Sequence, residues 1–334
     1  MKHSFFIVLL IQLVFISCKE KKYEYVKVQG YAQGSTYHIT YENSANRNFA
    51  VQIDSILKAF DLSLSEYVPK SIISRINAND TSVEIDDLFR TVFLKSQEVN
   101  KNSDGAFDIT VGPLVEAWGF GPKGKITNSK SHIDSLLKYV GMDKVKIVGG
   151  KVIKKYPQVS IDVNAIAQGF SVDVVCKFFD NNGIKNYIVE IGGELRAKGK
   201  NARGEKWRVG IDKPIDGSNK TNEQIQAIIS ISDKAIATSG DYRKFFVKDG
   251  KKYAHHIDPH TGYPANQNLL SASIIADDCI TADGYGTACM VSGLDKSIKL
   301  LSKHKELQAF LIYSNDSGKL CEYATEGARK MIKH

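Results

Sequence analysis

The chain is poor in the residues that staple or break a fold. Of 334 residues only 7 are proline and 5 are cysteine, with no C-x-x-C pair and no cysteine close to a spaced histidine, which excludes a zinc-ligand pattern. Charge of a single sign is also missing. The 45 Lys+Arg stand against 37 Asp+Glu for a net +8, and the lysines are scattered rather than blocked with interleaved aromatics, which argues against a nucleic-acid surface. The 26 glycines follow no period and no biased tract or internal repeat occurs, so collagen-like and disordered chains are excluded. No apolar run reaches the about 20 residues that a membrane-spanning helix needs.

What is present begins at the N-terminus. Lys2 and His3 precede an apolar run from Phe5 to Phe15, and Ser17-Cys18 then meets Lys19-Glu20-Lys21-Lys22. This order reads as an export signal over residues 1–17. Cys18 after a small residue resembles a bacterial lipobox, which implies a lipid-anchored protein facing the periplasm, with 18–29 as anchor and tether and a folded body over 30–334. The other cysteines, Cys176, Cys279, Cys289 and Cys321, read as small buried residues, although an exported chain permits disulfides.

Periodicity places a strand over Tyr31 to Tyr41 and helices over 51–62, 85–99, 165–180 and 281–292. Short apolar runs at 145–148, 159–163, 187–191, 207–211, 228–231, 272–276 and 309–313 read as strands. The expected fold is α+β: a single domain with mixed helices and an antiparallel-rich sheet.

Three segments carry candidate chemistry. Gly119-Phe120-Gly121-Pro122-Lys123-Gly124 satisfies G-x-G-x-x-G, and with Lys125 also G-x-x-x-x-G-K. Pro122 and Ile126 break both patterns where a nucleotide loop needs a helix start or a hydroxyl, so this is a glycine-rich turn. In Thr281-Ala282-Asp283-Gly284-Tyr285-Gly286-Thr287, helical spacing puts the Asp283 carboxylate beside the Thr287 hydroxyl. Two hard oxygens suit Mg2+ or Ca2+; an aspartate in a first helical turn also serves plain capping. Tyr253-Ala254-His255-His256-Ile257-Asp258-Pro259-His260-Thr261-Gly262-Tyr263-Pro264 concentrates proton-transfer groups in a turn-rich segment, where the other reading is a solvated turn.

In order along the chain these segments resemble the FAD:protein FMN transferases, the ApbE-like family. Gln33-Gly34-Ser35-Thr36-Tyr37 is similar to its M-G-T-x-Y opening, and Ser65-Glu66-Tyr67 through Ser71, Ser74 and Asn77 to its S-x-Y stretch. Phe107 to Leu114 and Trp118 to Pro122 resemble F-D-I-T-V-G-P-L and W-G-F-G-P. Asp162 to Phe170, Gly192-Gly193-Glu194, Thr238 to Tyr242, His255 to Pro264, and Asp283 with Thr287 follow in the family's order.

The resemblance implies transfer of FMN from FAD, with Mg2+, to a Thr or Ser hydroxyl of an exported flavoprotein subunit, releasing AMP. It implies metal ligation by Asp283, Thr287 and the Ala167 carbonyl, and a general base at His255 with Asp258 placing the segment. FAD contacts fall on Gln33, Tyr67, Trp118, Gly119, Phe120, Asn164, Phe170 and His256, and Asp241 is a further candidate. Gln33, Gln168 and Glu194 stand where the family often has Met, Lys and Asp. Two other outcomes share these residues: Mg2+-dependent hydrolysis of FAD to FMN and AMP, and a lipoprotein that only binds FAD.

Overall fold

The computed structural model describes residues 24–43, 47–122, 124, 126–216, 224–242, 245–248 and 250–333; the signal segment and Cys18 lie outside them. Eight strands form one sheet in the order Tyr25–Ala32, Ser35–Glu42, Tyr187–Ile191, Glu194–Lys198, Lys234–Gly240, Leu269–Ala276, Gln308–Ser314 and Leu320–Ala324. Every pairing is antiparallel. The α+β expectation holds.

Alternation along the central strands feeds two layers at once. Ala272 and Ile274 face a helical layer while Ile275 faces the other way; Ala309 and Leu311 alternate in the same manner with Phe310 and Ile312. The second face is covered by a three-stranded sheet, Ile332–Lys333, Ile225–Ile231 and Trp207–Asp212, which contributes Trp207, Val209, Ile211, Ile229 and Ile231 to that core. Among the described residues, no helix is long and apolar enough to cross a membrane.

On the helical side, Ala50–Leu64 and Ala167–Asn181 pack on the first three strands. Helix Cys279–Ser292 is buried on nearly its whole circumference, between the sheet and helix Asp87–Asn102. Its small residues Ala282, Gly284, Gly286 and Ala288 permit that approach. Its N-terminus would be a costly place to leave N–H groups without partners. The Asp278 side chain accepts from the Thr281 N–H at 3.0 Å. Asp173, from the neighbouring helix, accepts from the N–H groups of Cys279 at 2.8 Å and Ile280 at 2.9 Å and pairs with Arg196 at 2.9 Å.

Two strand expectations change. The segment from Tyr31 to Tyr41 is not one strand but the tip and second arm of a hairpin, and residues 25–29, read above as tether, are its first arm. Ala32 pairs with Ser35, leaving a two-residue turn in which Gln33 (φ 54°) and Gly34 (φ 72°) are both left-handed, the pattern of a type I′ turn. Residues 159–163 are buried at Val159, Ile161 and Val163 but form no strand. The Asn77 side chain takes the place of a partner, donating to the Ile161 carbonyl and accepting from its N–H, both at 2.8 Å.

Candidate functional site

The buried helix carries the first half of the site. Asp283 lies one turn into helix Cys279–Ser292, and its Oδ2 accepts from the Gly169 N–H at 2.9 Å. Gly169 sits in the first turn of helix Ala167–Asn181, which no side chain caps and which has no acid in its first turn. A Cβ at Gly169 would lie 2.4 Å from the Cys279 carbonyl oxygen and 2.7 Å from the Asp283 Cβ. Only glycine therefore lets the two helices meet here. Burial pushes the Asp283 carboxyl up to about 7, against the opposing effects of the Gly169 N–H and the nearby His256 imidazole. Asp283 has no Lys or Arg ion pair among the described residues. Thr287 follows one turn later, half-buried on the same helix. A buried carboxylate, raised in pKa and beside a hydroxyl, fits a small hard cation. Ala167, the third expected ligand, is the first residue of the neighbouring helix.

The second half is the turn from His255 to Pro264. Ile257 bridges Pro264, the Asp258 N–H donates to the Tyr263 carbonyl at 2.9 Å, and the Gly262 N–H donates to the Asp258 carbonyl at 2.8 Å. The Asp258 carboxylate accepts from the His260 N–H at 2.9 Å and lies 3.1 Å from its Nδ1. Asp258 thus shapes the turn. His256 is buried, with Nδ1 2.5 Å from the Asp241 carboxylate. The half-buried His255 ring lies 4.1 Å from that of His256 and edge-on to Phe120 at 6.3 Å. Ligating atoms of Asp241, His255 and His256 all fall within 4.8 Å of one another.

An aromatic wall continues from there. Trp118 donates its Nε1–H to the Gly262 carbonyl at 2.8 Å, tying the glycine-rich turn to the histidine turn. Its ring stacks on Tyr253 at 5.3 Å, Tyr253 stacks on Phe246 at 5.3 Å, and Phe246 meets Phe120 at 5.5 Å. Gly119 makes the bend with φ +80°. Tyr253 and Phe246 lie on the ribbon Phe245–Lys248 and Lys251–Ala254; Tyr253 heads the histidine segment read from the sequence, whereas Phe246 carried no sequence signal beyond being aromatic.

The remaining expected contacts fall into three places. Gln33, at the hairpin turn, accepts from the Ser171 hydroxyl at 3.1 Å, while its buried Nε2 has no hydrogen-bond partner among the described residues. That amide fits a site whose ligand supplies an acceptor. Asn164 donates to Glu66 at 3.1 Å and Asp162 at 2.9 Å, next to the exposed Tyr67. Burial, with the Asp162 carboxylate alongside, pushes the Glu66 carboxyl well above the usual carboxylate range. Phe170 is turned towards the core, 5.9 Å from Phe60. Sequence reading gave Glu66 and Asp173 no role of their own, although each lay inside a motif or helix it read, because only the fold reveals their partners.

Similarity to known proteins follows the same segments. The sequence model of the ApbE family matches residues 33–311. A curated protein of Haemophilus influenzae named FAD:protein FMN transferase is 36% identical over 313 residues, covering 90% of this chain and 89% of its own. One of the same name from Vibrio cholerae is 34% identical and covers 98% of both. The solved flavin transferase ApbE of Vibrio cholerae superposes with a TM-score of 0.82 at 34% identity, over 92% of this chain and 99% of its own. With the Asp283 and His255 segments inside the matched span, the chain belongs to the ApbE family.

Proposed function

We propose that this chain is an Mg2+-dependent FAD:protein FMN transferase that modifies a Thr or Ser hydroxyl of an exported flavoprotein subunit. The observation that carries the reading is the buried Asp283 carboxylate, held by the Gly169 N–H at 2.9 Å beside an uncapped helix start and near the histidine turn. Asp283 and Thr287 would hold the metal, with the Ala167 carbonyl as the further ligand implied by the family; the ion supplies neutralisation of charge on the phosphate oxygens. The start of helix Ala167–Asn181 offers an anion its N-terminal dipole. Gln33 and Asn164 present amide groups, Tyr67 an exposed ring, and Trp118, Gly119 and Phe120 a wall for the flavin nucleotide.

His255 takes the proton of the acceptor hydroxyl as that oxygen bonds to the FMN phosphorus. The anhydride bond to the adenylate breaks and AMP leaves. Asp258 holds the turn that presents His255, and Asp241 fixes the His256 ring behind it. Water in place of the hydroxyl would give FMN and AMP. The neutral Gln168 stands where the family often has lysine, and the lost positive charge would favour that hydrolysis over transfer.

Export and acylation at Cys18 would place the body at a bacterial membrane facing the periplasm, and an intact mass of membrane-extracted protein tests this. The activity is tested by incubating residues 24–334 with FAD, Mg2+ and an exported flavoprotein domain. Covalent FMN on the acceptor with AMP release, both lost on adding EDTA, is expected; intact FAD throughout would overturn the reading.

A further inference from the structure

The outer three-stranded sheet turns a basic and partly aliphatic face to solvent. Trp207, Val209 and Ile211 point into the core, so the pleat directs Arg208 outward, and the register sets Arg208 opposite Ser230 and Lys333 opposite Ile228. Ile225 and Ile228 are 63% and 38% exposed. A cavity of about 320 Å³ on this face is lined by Lys206, Arg208, Lys330 and Lys333, with Glu205 the sole acid of the lining. Lys330 pairs with Glu326 at 2.7 Å; Lys206, Arg208 and Lys333 have no ion pair among the described residues.

The chain enters the body beside this face. The Tyr25 ring packs edge-on against Trp207 at 6.1 Å, and its hydroxyl donates to the Lys200 carbonyl at 2.8 Å. From Cys18 to Glu24 the chain can span at most about 20 Å at full extension, and that stretch itself carries Lys19, Lys21 and Lys22. A lipid on Cys18 would keep this point of entry, at the edge of the three-stranded sheet, within that reach of the bilayer.

We propose that this face, with Lys206, Arg208 and Lys333 around Ile225 and Ile228, is a docking surface for an anionic lipid bilayer. A basic side chain near such a surface strengthens binding roughly fivefold, and aliphatic side chains among the cations suit the interfacial region. The tethered orientation rests on the anchor proposed above, whereas the affinity of the face for lipid does not.

Residues 24–334 contain the strands and apolar cores of the described residues, so they serve without the lipid. The test sediments this body with phosphatidylcholine vesicles, with and without phosphatidylglycerol, at low salt. Binding should rise at least tenfold with the anionic lipid. It should fall at least tenfold in Lys206→Glu/Arg208→Glu/Lys333→Glu, and persist in the control Lys296→Glu/Lys299→Glu/Lys303→Glu on another exposed helix. Thermal midpoints check that both variants are folded. Binding unchanged in the first variant, lost equally in both, or absent in the parent would overturn the proposal. An unacylated Cys18 would remove the tether and leave the vesicle result standing.

Discussion

Replacing Asp283 by asparagine separates the metal role of this side chain from its contribution to folding. With its carboxyl held at about 7 rather than the ordinary 3.8, the native state binds more protons than the unfolded chain between those values. Stability without metal should therefore fall as pH rises through that window and level off above it. At 1.36 kcal/mol per pH unit the full cost is on the order of 4 kcal/mol, more than half of it lost between pH 5 and pH 8. Asparagine has nearly the same shape and retains an acceptor for the Gly169 N–H, but carries no charge. The assay is urea unfolding at pH 5 and pH 8, with EDTA or with Mg2+. The parent should lose stability from pH 5 to pH 8 in EDTA and regain it with Mg2+. Asp283→Asn should be less sensitive to pH, more stable than the parent at pH 8 in EDTA, indifferent to Mg2+ and inactive. A variant with the parent's pH slope and Mg2+ response would refute both the buried charge and the metal assignment.

Gly169→Ala should cost at least about 2 kcal/mol in urea unfolding, because its Cβ meets backbone oxygen at 2.4 Å and an overpacked contact must be relieved by moving a helix; a cost under about 0.5 kcal/mol would contradict the close approach. Asp173→Asn should destabilise by about 3 kcal/mol, since the buried helix start and Arg196 both lose their anion, again read by urea unfolding. His255→Ala should leave FAD affinity within about twofold by fluorescence titration while transfer slows by about 100-fold or more; loss of binding in step with rate would remove its role as base. Gln168→Lys should raise the ratio of FMN transferred to FMN released, measured by acceptor mass against free FMN, and an unchanged ratio would end the link between this side chain and hydrolysis.

Local pattern made the helices legible. The 51–62 and 165–180 segments differ from Ala50–Leu64 and Ala167–Asn181 by two residues or fewer at either end, because apolar spacing and a stop such as Asn181-Asn182-Gly183 are properties of neighbours in sequence. Strands 145–148 and 187–191 coincide with those observed. What escaped depended on distant partners. The Gln33-Gly34 turn has no Asn-Gly signature, since a glutamine occupies its first left-handed position. Asn77 satisfies Ile161 across 84 residues, so an apolar run that reads as a strand has no ladder to join. Helix Leu294–Lys303 went unread despite its amphipathic spacing. At the site, Asp283, Thr287 and the histidine turn stood out by residue type and spacing. The bond from the Gly169 N–H to Asp283, and the nearness of Asp283 to His256, exist only once the helices are packed.

The all-round burial of helix Cys279–Ser292 also governs how the site opens. Amide exchange in such a segment proceeds through large-scale unfolding rather than fraying, so the N–H groups near Asp283 and Thr287 should be among the slowest in the molecule. The histidine turn and the two-stranded ribbon Phe245–Lys248 and Lys251–Ala254 lie outside the eight-stranded sheet, where smaller openings suffice. On the proposed roles of these residues, the division is one of fixed floor and yielding wall: Asp283 and Thr287 would keep their geometry from one turnover to the next, while the aromatic side would part to admit a nucleotide and then the surface of another protein.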